Sequence, residues 1–329
     1  MAIINNIKAV TDALDCAMQR DPNVIVFGED VGTEGGVFRA TQGLAVKFGN
    51  DRCFNAPISE AMFAGVGLGM AMNGMKPVVE MQFEGLGLAS LQNIFTNISR
   101  MRNRTRGKYT APMVIRTPMG GGIRALEHHS EALEAVYAHI PGVQIVCPST
   151  PYDTKGLILA AIDSPDPVIV VEPTKLYRAF KQEVPDEHYI VPIGEGYKIQ
   201  EGNDLTVVTY GAQTVDCQKA IALLKETHPN ATIDLIDLRS IKPWDKKMVI
   251  ESVKKTGRLL VVHEAVKSFS VSAEIIATVN EECFEYIKAP LSRCTGYDVI
   301  TPFDRGEGYF QVNPKKVLVK MQELLDFKF

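Results

Sequence analysis

From residue 24 onward, short runs of β-branched apolar residues alternate with longer stretches in which apolar positions return every three or four residues. Val24-Ile25-Val26-Phe27 reads as a buried strand ending at Gly28, residues 59–73 as a helix, and Pro77-Val78-Val79-Glu80-Met81 as the next strand. A helix over 88–105, a strand at Met113-Val114-Ile115, a short helix over 130–139 and a strand at Gln144-Ile145-Val146 follow. A helix over 151–163 and the strand Val168-Ile169-Val170-Val171 close the series. The alternation predicts an α/β fold with a largely parallel sheet and helices on both faces, because parallel neighbours need crossover connections.

The pattern breaks over 173–204, which is polar and carries Pro173, Pro185, Pro192, Gly194, Gly196 and Gly202. Proline and glycine punctuate regular structure, so this stretch reads as connecting chain. A second alternation has strands at 205–210, 232–236, 258–262 and 289–294, and helices at 213–226, 245–255 and 270–282. A last helix over 314–326 opens with Asn313-Pro314, a cap followed by proline at the first helical position. Two α/β domains are expected, 1–180 and 205–329, with 181–204 as linker. The halves share no motif, so no repeat is read. In open α/β sheets ligands bind at the carboxyl ends of the strands. That points to Gly28-Glu29-Asp30, Ser59-Glu60, Gln82-Phe83-Glu84, the loop 116–129 and Glu172.

Composition narrows the function classes. The chain has 329 residues, 46% hydrophobic and 22% charged, an ordinary globular profile. A formal charge of −4 argues against a nucleic-acid binder, which needs a concentrated basic face. The richest apolar run, Met62 to Met72, is short and glycine-laced, whereas a membrane span needs about 20 apolar residues. The start, Met1-Ala2-Ile3-Ile4-Asn5-Asn6, does not look like a secretory signal. The six cysteines are scattered without a Cys-x-x-Cys pair. That argues against a disulfide framework or zinc site and for a reducing cytoplasm.

Several features could carry chemistry. Ser59-Glu60 reads first as a serine cap followed by a first-turn acid, with a glutamate aimed at a ligand nitrogen as the sharper alternative. Gly65 and Gly69, with Gly67 and Gly74 nearby, fall in or just after the helix that follows. Each interior helix glycine costs about 0.8–1 kcal/mol relative to alanine, so close backbone approach is expected, within the chain or to another subunit. Arg116-Thr117-Pro118-Met119-Gly120-Gly121-Gly122 lacks the known nucleotide-loop patterns and reads as a mobile loop after a strand. Glu127-His128-His129-Ser130 lacks metalloprotease spacing, which leaves a polar loop or a single acid–base histidine. Arg100, Arg102, Arg104, Arg106 and Lys108 suit a helix C-terminus, with an anion site or subunit ion pairs as alternatives. No Gly-x-Ser-x-Gly elbow is present, which argues against a serine hydrolase.

Taken in order, five segments become specific. They are Gly28-Glu29-Asp30-Val31, Pro57-Ile58-Ser59-Glu60, Glu80-Met81-Gln82-Phe83, Pro148-Ser149-Thr150-Pro151-Tyr152-Asp153-Thr154-Lys155-Gly156-Leu157 and Pro192-Ile193-Gly194. Together they resemble the β subunits of thiamine-diphosphate-dependent 2-oxo acid dehydrogenases, most of all the bacterial pyruvate dehydrogenase type. The resemblance covers nearly the whole chain. It implies an N-terminal domain that binds the aminopyrimidine of thiamine diphosphate and a C-terminal domain like that of transketolase. It also implies an α2β2 heterotetramer in which the α subunit holds the diphosphate and its Mg2+. The family's Gly-Asp-Gly magnesium motif does not occur here, so activity is expected only with α. The lipoyl-bearing dihydrolipoamide acetyltransferase core is the implied acceptor of the acetyl group.

Carried over by motif, Glu60 is the carboxylate that bonds cofactor nitrogen N1′ and favours the imino tautomer, while Glu29 and Ile58 border the cofactor. Gln82 and Leu86 lie near the pyrimidine, and His129 faces the channel used in reductive acylation. Position 86, often aromatic in the family, is leucine here, which puts stacking on the pyrimidine in question. Lys267-Ser268-Phe269-Ser270 replaces a commonly glycine-rich turn. Relatives can hold a structural K+ on carbonyls in loops matching Met113 and 161–166, which leaves no side-chain signature. Branched-chain 2-oxo acid or acetoin dehydrogenase β subunits are the near alternatives. A non-catalytic scaffold and a self-sufficient transketolase-type enzyme are the distant ones.

Overall fold

The first helix lies ahead of the alternation read from Val24. In the computed structural model, which describes residues 1–328, the strand β1 (Ala2–Ile4) leads into the helix α1 (Asn6–Arg20). The Asn5 side chain caps α1 by accepting from the Lys8 N–H. Ile7, Val10, Leu14, Ala17 and Met18, three or four apart, form its buried stripe. Then follow β2 (Val24–Gly28), α2 (Leu44–Phe48), β3 (Cys53–Asn55), α3 (Glu60–Met72) and β4 (Lys76–Glu80). After them come α4 (Glu84–Gly87), α5 (Leu91–Thr96), α6 (Met101–Arg104), β5 (Val114–Met119) and α7 (Glu134–Ala138). The first unit, Met1–Ile193, ends with β6 (Gln144–Val146), α8 (Pro151–Asp163), β7 (Val168–Pro173) and β8 (Gln182–Val184).

Its central strands run parallel in the order β6-β7-β5-β4-β2-β3. Successive residues of a strand point to opposite faces. Val24, Val26, Val78, Val114 and Val170 join the core beneath α1 and α8, with Leu157, Ile158, Ala161 and Ile162. On the other face Phe27 meets Phe63 of α3 edge-on, ring centres 6.3 Å apart. Both faces are covered, so β5 and β7 are buried along their whole length. All these strands end on one edge, at Gly28, Glu80, Met119 and Pro173.

The structure corrects several expectations. The single helix expected over 88–105 is broken into α5, α6 and two 3₁₀ turns, Leu88–Ser90 and Ile98–Arg100. Asn97 leaves the helical region, and its side-chain amide donates to Asn93 Oδ1, a local bond that competes with the helix ladder. The helix expected over 130–139 shrinks to α7. Arg116, Thr117 and Pro118, read as the start of a mobile loop, belong to β5. Residues 181–204 contain β8 and the strand β9 (Tyr197–Gln200). β8 pairs antiparallel with β1, and β9 lies antiparallel along β11 (Ile233–Asp237). Short polar edge strands lack an apolar run, so their sequences read as connection.

The second unit begins at Gly194. It adds β10 (Leu205–Thr209), α9 (Gln213–Leu224), β12 (Ser240–Lys242), α10 (Lys246–Thr256) and β13 (Leu259–Val262). Then come α11 (Val271–Cys283), β14 (Ser292–Cys294), α12 (Asp304–Phe310) and α13 (Pro314–Asp326). Its sheet order is β14-β13-β10-β11-β9, parallel except for the edge strand β9. Val317, Met321 and Leu324 of α13 pack with Cys217, Ala220 and Leu224 of α9. The Asn313 side chain accepts from the Lys315 and Lys316 N–H groups, the cap that Asn313-Pro314 predicts.

Candidate active site

The carboxyl ends of β2 and β4 and the start of α3 bring three predicted residues together. β2 ends at Gly28, directly beside Glu80 in the parallel register. A Cβ on Gly28 would stand 2.5 Å from the Glu80 carbonyl oxygen, so only glycine lets the strands stay this close. The next residue, Glu29, is half-buried. Burial raises its pKa above the ordinary carboxylate value, and the neighbouring Asp30 and Glu60 charges add to the rise. A hydrogen bond with Gln82 opposes it. Thus Glu29, Glu60 and Gln82 share one electrostatic environment. Asp30 takes a left-handed turn at φ 56°, which aspartate tolerates better than most residues. The chain then folds back, with Gly36 N–H donating to Asp30 O at 2.7 Å and Gly32 N–H to Asn55 Oδ1 at 2.6 Å.

Glu60 is the first residue of α3 and is half-buried. Ser59 occupies the cap position, but its side chain makes no cap hydrogen bond. The capping half of the Ser59-Glu60 reading therefore lacks its defining bond. Ile58, just before it, is 69% exposed, an apolar residue at the rim next to Glu60, and Leu86 is half-buried.

Beneath this surface lies a cluster that the sequence did not single out as a unit. Arg116 is buried on β5, between β4 and β7. Its Nη1 donates to Glu80 Oε2 at 2.6 Å, and its Nε and Nη2 donate to Glu172 Oε1 and Oε2 at 2.7 and 2.8 Å. The Tyr177 hydroxyl donates to Glu172 Oε2 at 2.7 Å. Burial pushes the Glu80 carboxyl up while Arg116 pulls it back. Burial also works against the Arg116 charge, but Glu172 and Glu80 outweigh it and hold the guanidinium above its ordinary range. Burial, and then Glu172, raise Tyr177 well above a free phenol.

His129 is joined to the site by ring contacts. Phe83, next to Gln82, packs edge-on against His129 with centres 4.3 Å apart. Phe38 contacts Phe83 at 5.5 Å and Tyr177 at 5.0 Å, so an aromatic row leads from the buried cluster to the histidine. His128 is exposed, whereas His129 is half-buried. Among the described residues no group of three or more His, Cys, Asp or Glu side chains is placed to hold a metal.

The glycines of α3 separate into two kinds. Gly67 faces inward, where a Cβ would lie 2.8 Å from Met113 Cε and 3.0 Å from Val79 Cγ2. Gly69 has nothing within 4 Å, and Gly65 meets only Asn93 Nδ2 at 3.5 Å. Met62, Val66 and Met72 are exposed along this outer side. Of the basic run, Arg102 pairs with Asp166 at 2.7 Å and Arg104 donates to the Thr96 carbonyl at 2.7 Å.

Two family models match the chain: the transketolase pyrimidine binding domain over residues 3–179 and the transketolase C-terminal domain over 194–317. The chain is 56% identical to the pyruvate dehydrogenase E1 component subunit beta of Mycoplasma genitalium, over 95% of this chain and 96% of that protein. Identity to the protein of the same name is 54% in Mycoplasma pneumoniae, over 98% of both chains. In Bacillus subtilis it is 42%, over 99% of this chain and all of that protein. Among solved structures, a split-gene transketolase, an inactive β4 tetramer, superposes with a TM-score of 0.80 at 20% identity over the full length of both chains. Pichia stipitis transketolase in complex with sedoheptulose 7-phosphate gives 0.69 at 14% identity, over 99% of this chain and 46% of that one. The family matches and the folds bear out the two-domain class and the resemblance read from the motifs.

Proposed function

We infer the function of this chain from the family to which it belongs, the β subunits of the pyruvate dehydrogenase E1 component, which depends on thiamine diphosphate. It is a 2-oxo acid enzyme subunit of oxidoreductase type. The relatives above all carry the pyruvate name, which favours pyruvate over branched-chain substrates or acetoin. The reaction we assign is decarboxylation of pyruvate followed by reductive acetylation of lipoyl groups on the acyltransferase core. The scattered cysteines, without a Cys-x-x-Cys pair, support a reducing cytoplasm as its location.

One observation carries the site assignment. Glu60 opens α3 half-buried beside Glu29, and Ser59 makes no side-chain cap bond. The donor set fits an aminopyrimidine: a carboxyl for a ring nitrogen, the Gln82 amide, and apolar Ile58 and Leu86 at the rim. When bound, thiamine diphosphate supplies the nucleophilic carbon that attacks the 2-oxo carbon and lets carbon dioxide leave. Glu60 bonds ring nitrogen N1′ and holds the proton there. Glu29, whose proton affinity is raised by burial and by the Asp30 and Glu60 charges, stands beside it. Gln82 fixes Glu29 and borders the ring, while Ile58 and Leu86 keep water from the Glu60 bond. His129, fixed by Phe83, faces the lipoyl thiol and handles its proton.

The site is half of a whole. The diphosphate and its Mg2+ belong to the α subunit, which covers Ile58 and the outer side of α3 in an α2β2 heterotetramer. The exposed Ile58, the open Gly69 and the exposed Met62, Val66 and Met72 support this reading. The test is co-expression with the α subunit, followed by dye-linked decarboxylation of pyruvate, 3-methyl-2-oxobutanoate and acetoin. Pyruvate is expected to turn over fastest, and only in the presence of α. Full activity of the isolated chain, or preference for another substrate, would overturn the assignment.

A further inference from the structure

The histidine loop, 120–133, contains no helix or strand, and two of its non-glycine residues, Arg124 and Leu126, sit at φ 58° and 69°. Left-handed backbone at such residues is unfavourable, so contacts elsewhere must hold the loop in place. Those contacts converge on Phe83-Glu84-Gly85. The Phe83 ring meets His129. Glu84, only 1% exposed, accepts the Leu133 N–H at 2.9 Å through Oε2. The loop runs directly over Gly85, where a Cβ would overlap the Glu131 carboxylate and stand 2.5 Å from the His128 carbonyl oxygen. At the loop base, Gly120 N–H donates to Glu131 O at 2.7 Å. The seat itself is anchored, since Met81 N–H donates to Arg116 O at 2.9 Å and Glu80 is held by Arg116.

We propose that Phe83-Glu84-Gly85 is the seat of the histidine loop, and that Glu84 is a positioning residue which fixes His129 for acyl transfer to the lipoyl group. This deepens the function inferred above and rests on it. Glu84 need not touch cofactor or substrate. Its carboxylate holds the far end of the loop while Gly85 leaves room for the near end. Gln82, which borders the cofactor, bonds Glu29, whereas the loop contacts fall on Glu84 and Gly85, so different residues hold the pyrimidine pocket and the histidine. Loss of the seat should therefore act selectively. Decarboxylation depends on Glu60 and should persist, whereas acetyl transfer depends on where His129 stands.

The experiment uses the assembled α/β enzyme and two assays, dye-linked pyruvate decarboxylation and acetylation of a free lipoyl domain. E84A and G85A are expected to lower kcat for lipoyl acetylation by about ten-fold or more, because misplacement by about 1 Å can cost a hundred-fold. Dye-linked decarboxylation should stay within about two-fold. Hydrogen exchange in the 121–130 peptide should speed up. E84Q keeps an acceptor oxygen and should retain most of the acetylation rate, while E84D falls short of Leu133 and should lose it. The two conservative variants decide the matter if E84A or G85A fails to assemble. Equal losses in both assays, or unchanged exchange in the loop, would overturn the proposal. If H129A leaves acetylation intact, the role given to His129 falls, but the exchange measurements on E84Q and E84D still decide whether the seat exists.

Discussion

Arg116 and Glu172 form a two-pronged pair, Nε to Oε1 at 2.7 Å and Nη2 to Oε2 at 2.8 Å, with each residue 1% exposed. The pair joins neighbouring strands, and a third partner, Glu80, extends it to β4 beneath the site. Two carboxylates around one guanidinium leave the cluster one negative charge in excess if all are ionised. The raised proton affinity of Glu80 relieves part of that excess.

Replacing Arg116 by methionine should therefore be costly in a pH-dependent way. Breaking a buried ion pair from one side costs about 3–5 kcal/mol, because the remaining charge is left buried alone. In R116M, Glu80 would lose the guanidinium that pulls it back, so its folded-state pKa would lie further above its unfolded one. Such a group binds more protons when folded, so the variant should recover stability as pH falls from neutral toward the ordinary carboxylate range. Chemical denaturation of R116M at neutral and mildly acidic pH checks this. A loss that does not shrink on acidification contradicts it.

Glu60→Gln should preserve fold and assembly while removing activity. Glutamine keeps the shape but cannot hold the shared proton at N1′. General acid–base groups of this kind contribute about 10²–10⁴-fold in rate. Dye-linked turnover of the assembled E60Q enzyme is the measurement, with circular dichroism and subunit stoichiometry unchanged. Near-normal turnover would also admit the scaffold alternative.

The sheets were legible because their buried strands are continuous apolar runs, as at Val24–Phe27 and Val168–Val171. The site was legible only in part. Glu60, Glu29 and Gln82 stand at strand ends or a helix start, where ligands gather, and the motifs named them. The Arg116 cluster was not legible as a unit. Glu80, Arg116 and Glu172 are far apart in the chain and the strand order β7-β5-β4 brings them together, while Tyr177 follows five residues after Glu172. Arg116-Thr117-Pro118 looked like loop because a charge and a proline seldom extend a buried strand. The break near Asn97 arises from side-chain bonds that apolar spacing does not encode.

Glu29 should leave a signature in the stability curve. Its folded-state pKa lies above the ordinary 4.5, through burial first and then through Asp30 and Glu60. A carboxyl raised in this way stabilises the folded chain at low pH, and that contribution is lost as pH rises from the unfolded value through the folded one. E29Q should flatten the curve over that window and match the native chain at its acid end. Denaturation midpoints of both chains across the window test the sign. If the native chain instead gains stability there relative to E29Q, the assigned environment of Glu29 is wrong.

The two kinds of glycine in α3 give opposite expectations for one chemical change. At Gly67 an added methyl presses on Met113 and Val79, and overpacking a filled core costs about 1–3 kcal/mol, toward the low end where a flexible methionine can yield. At Gly69 nothing lies within 4 Å, so G69A should stabilise the isolated chain by about 0.8–1 kcal/mol through helix propensity alone. Such an open glycine is costly without a function, and the function assigned here is close approach of another subunit. G69L should thus leave the isolated chain at least as stable as the original while sharply reducing the α subunit that co-purifies with it. Thermal melts of G67A, G69A and G69L, paired with co-purification from cells expressing both subunits, separate folding from assembly. Normal recovery of α with G69L would place the subunit contact somewhere other than the open side of this helix.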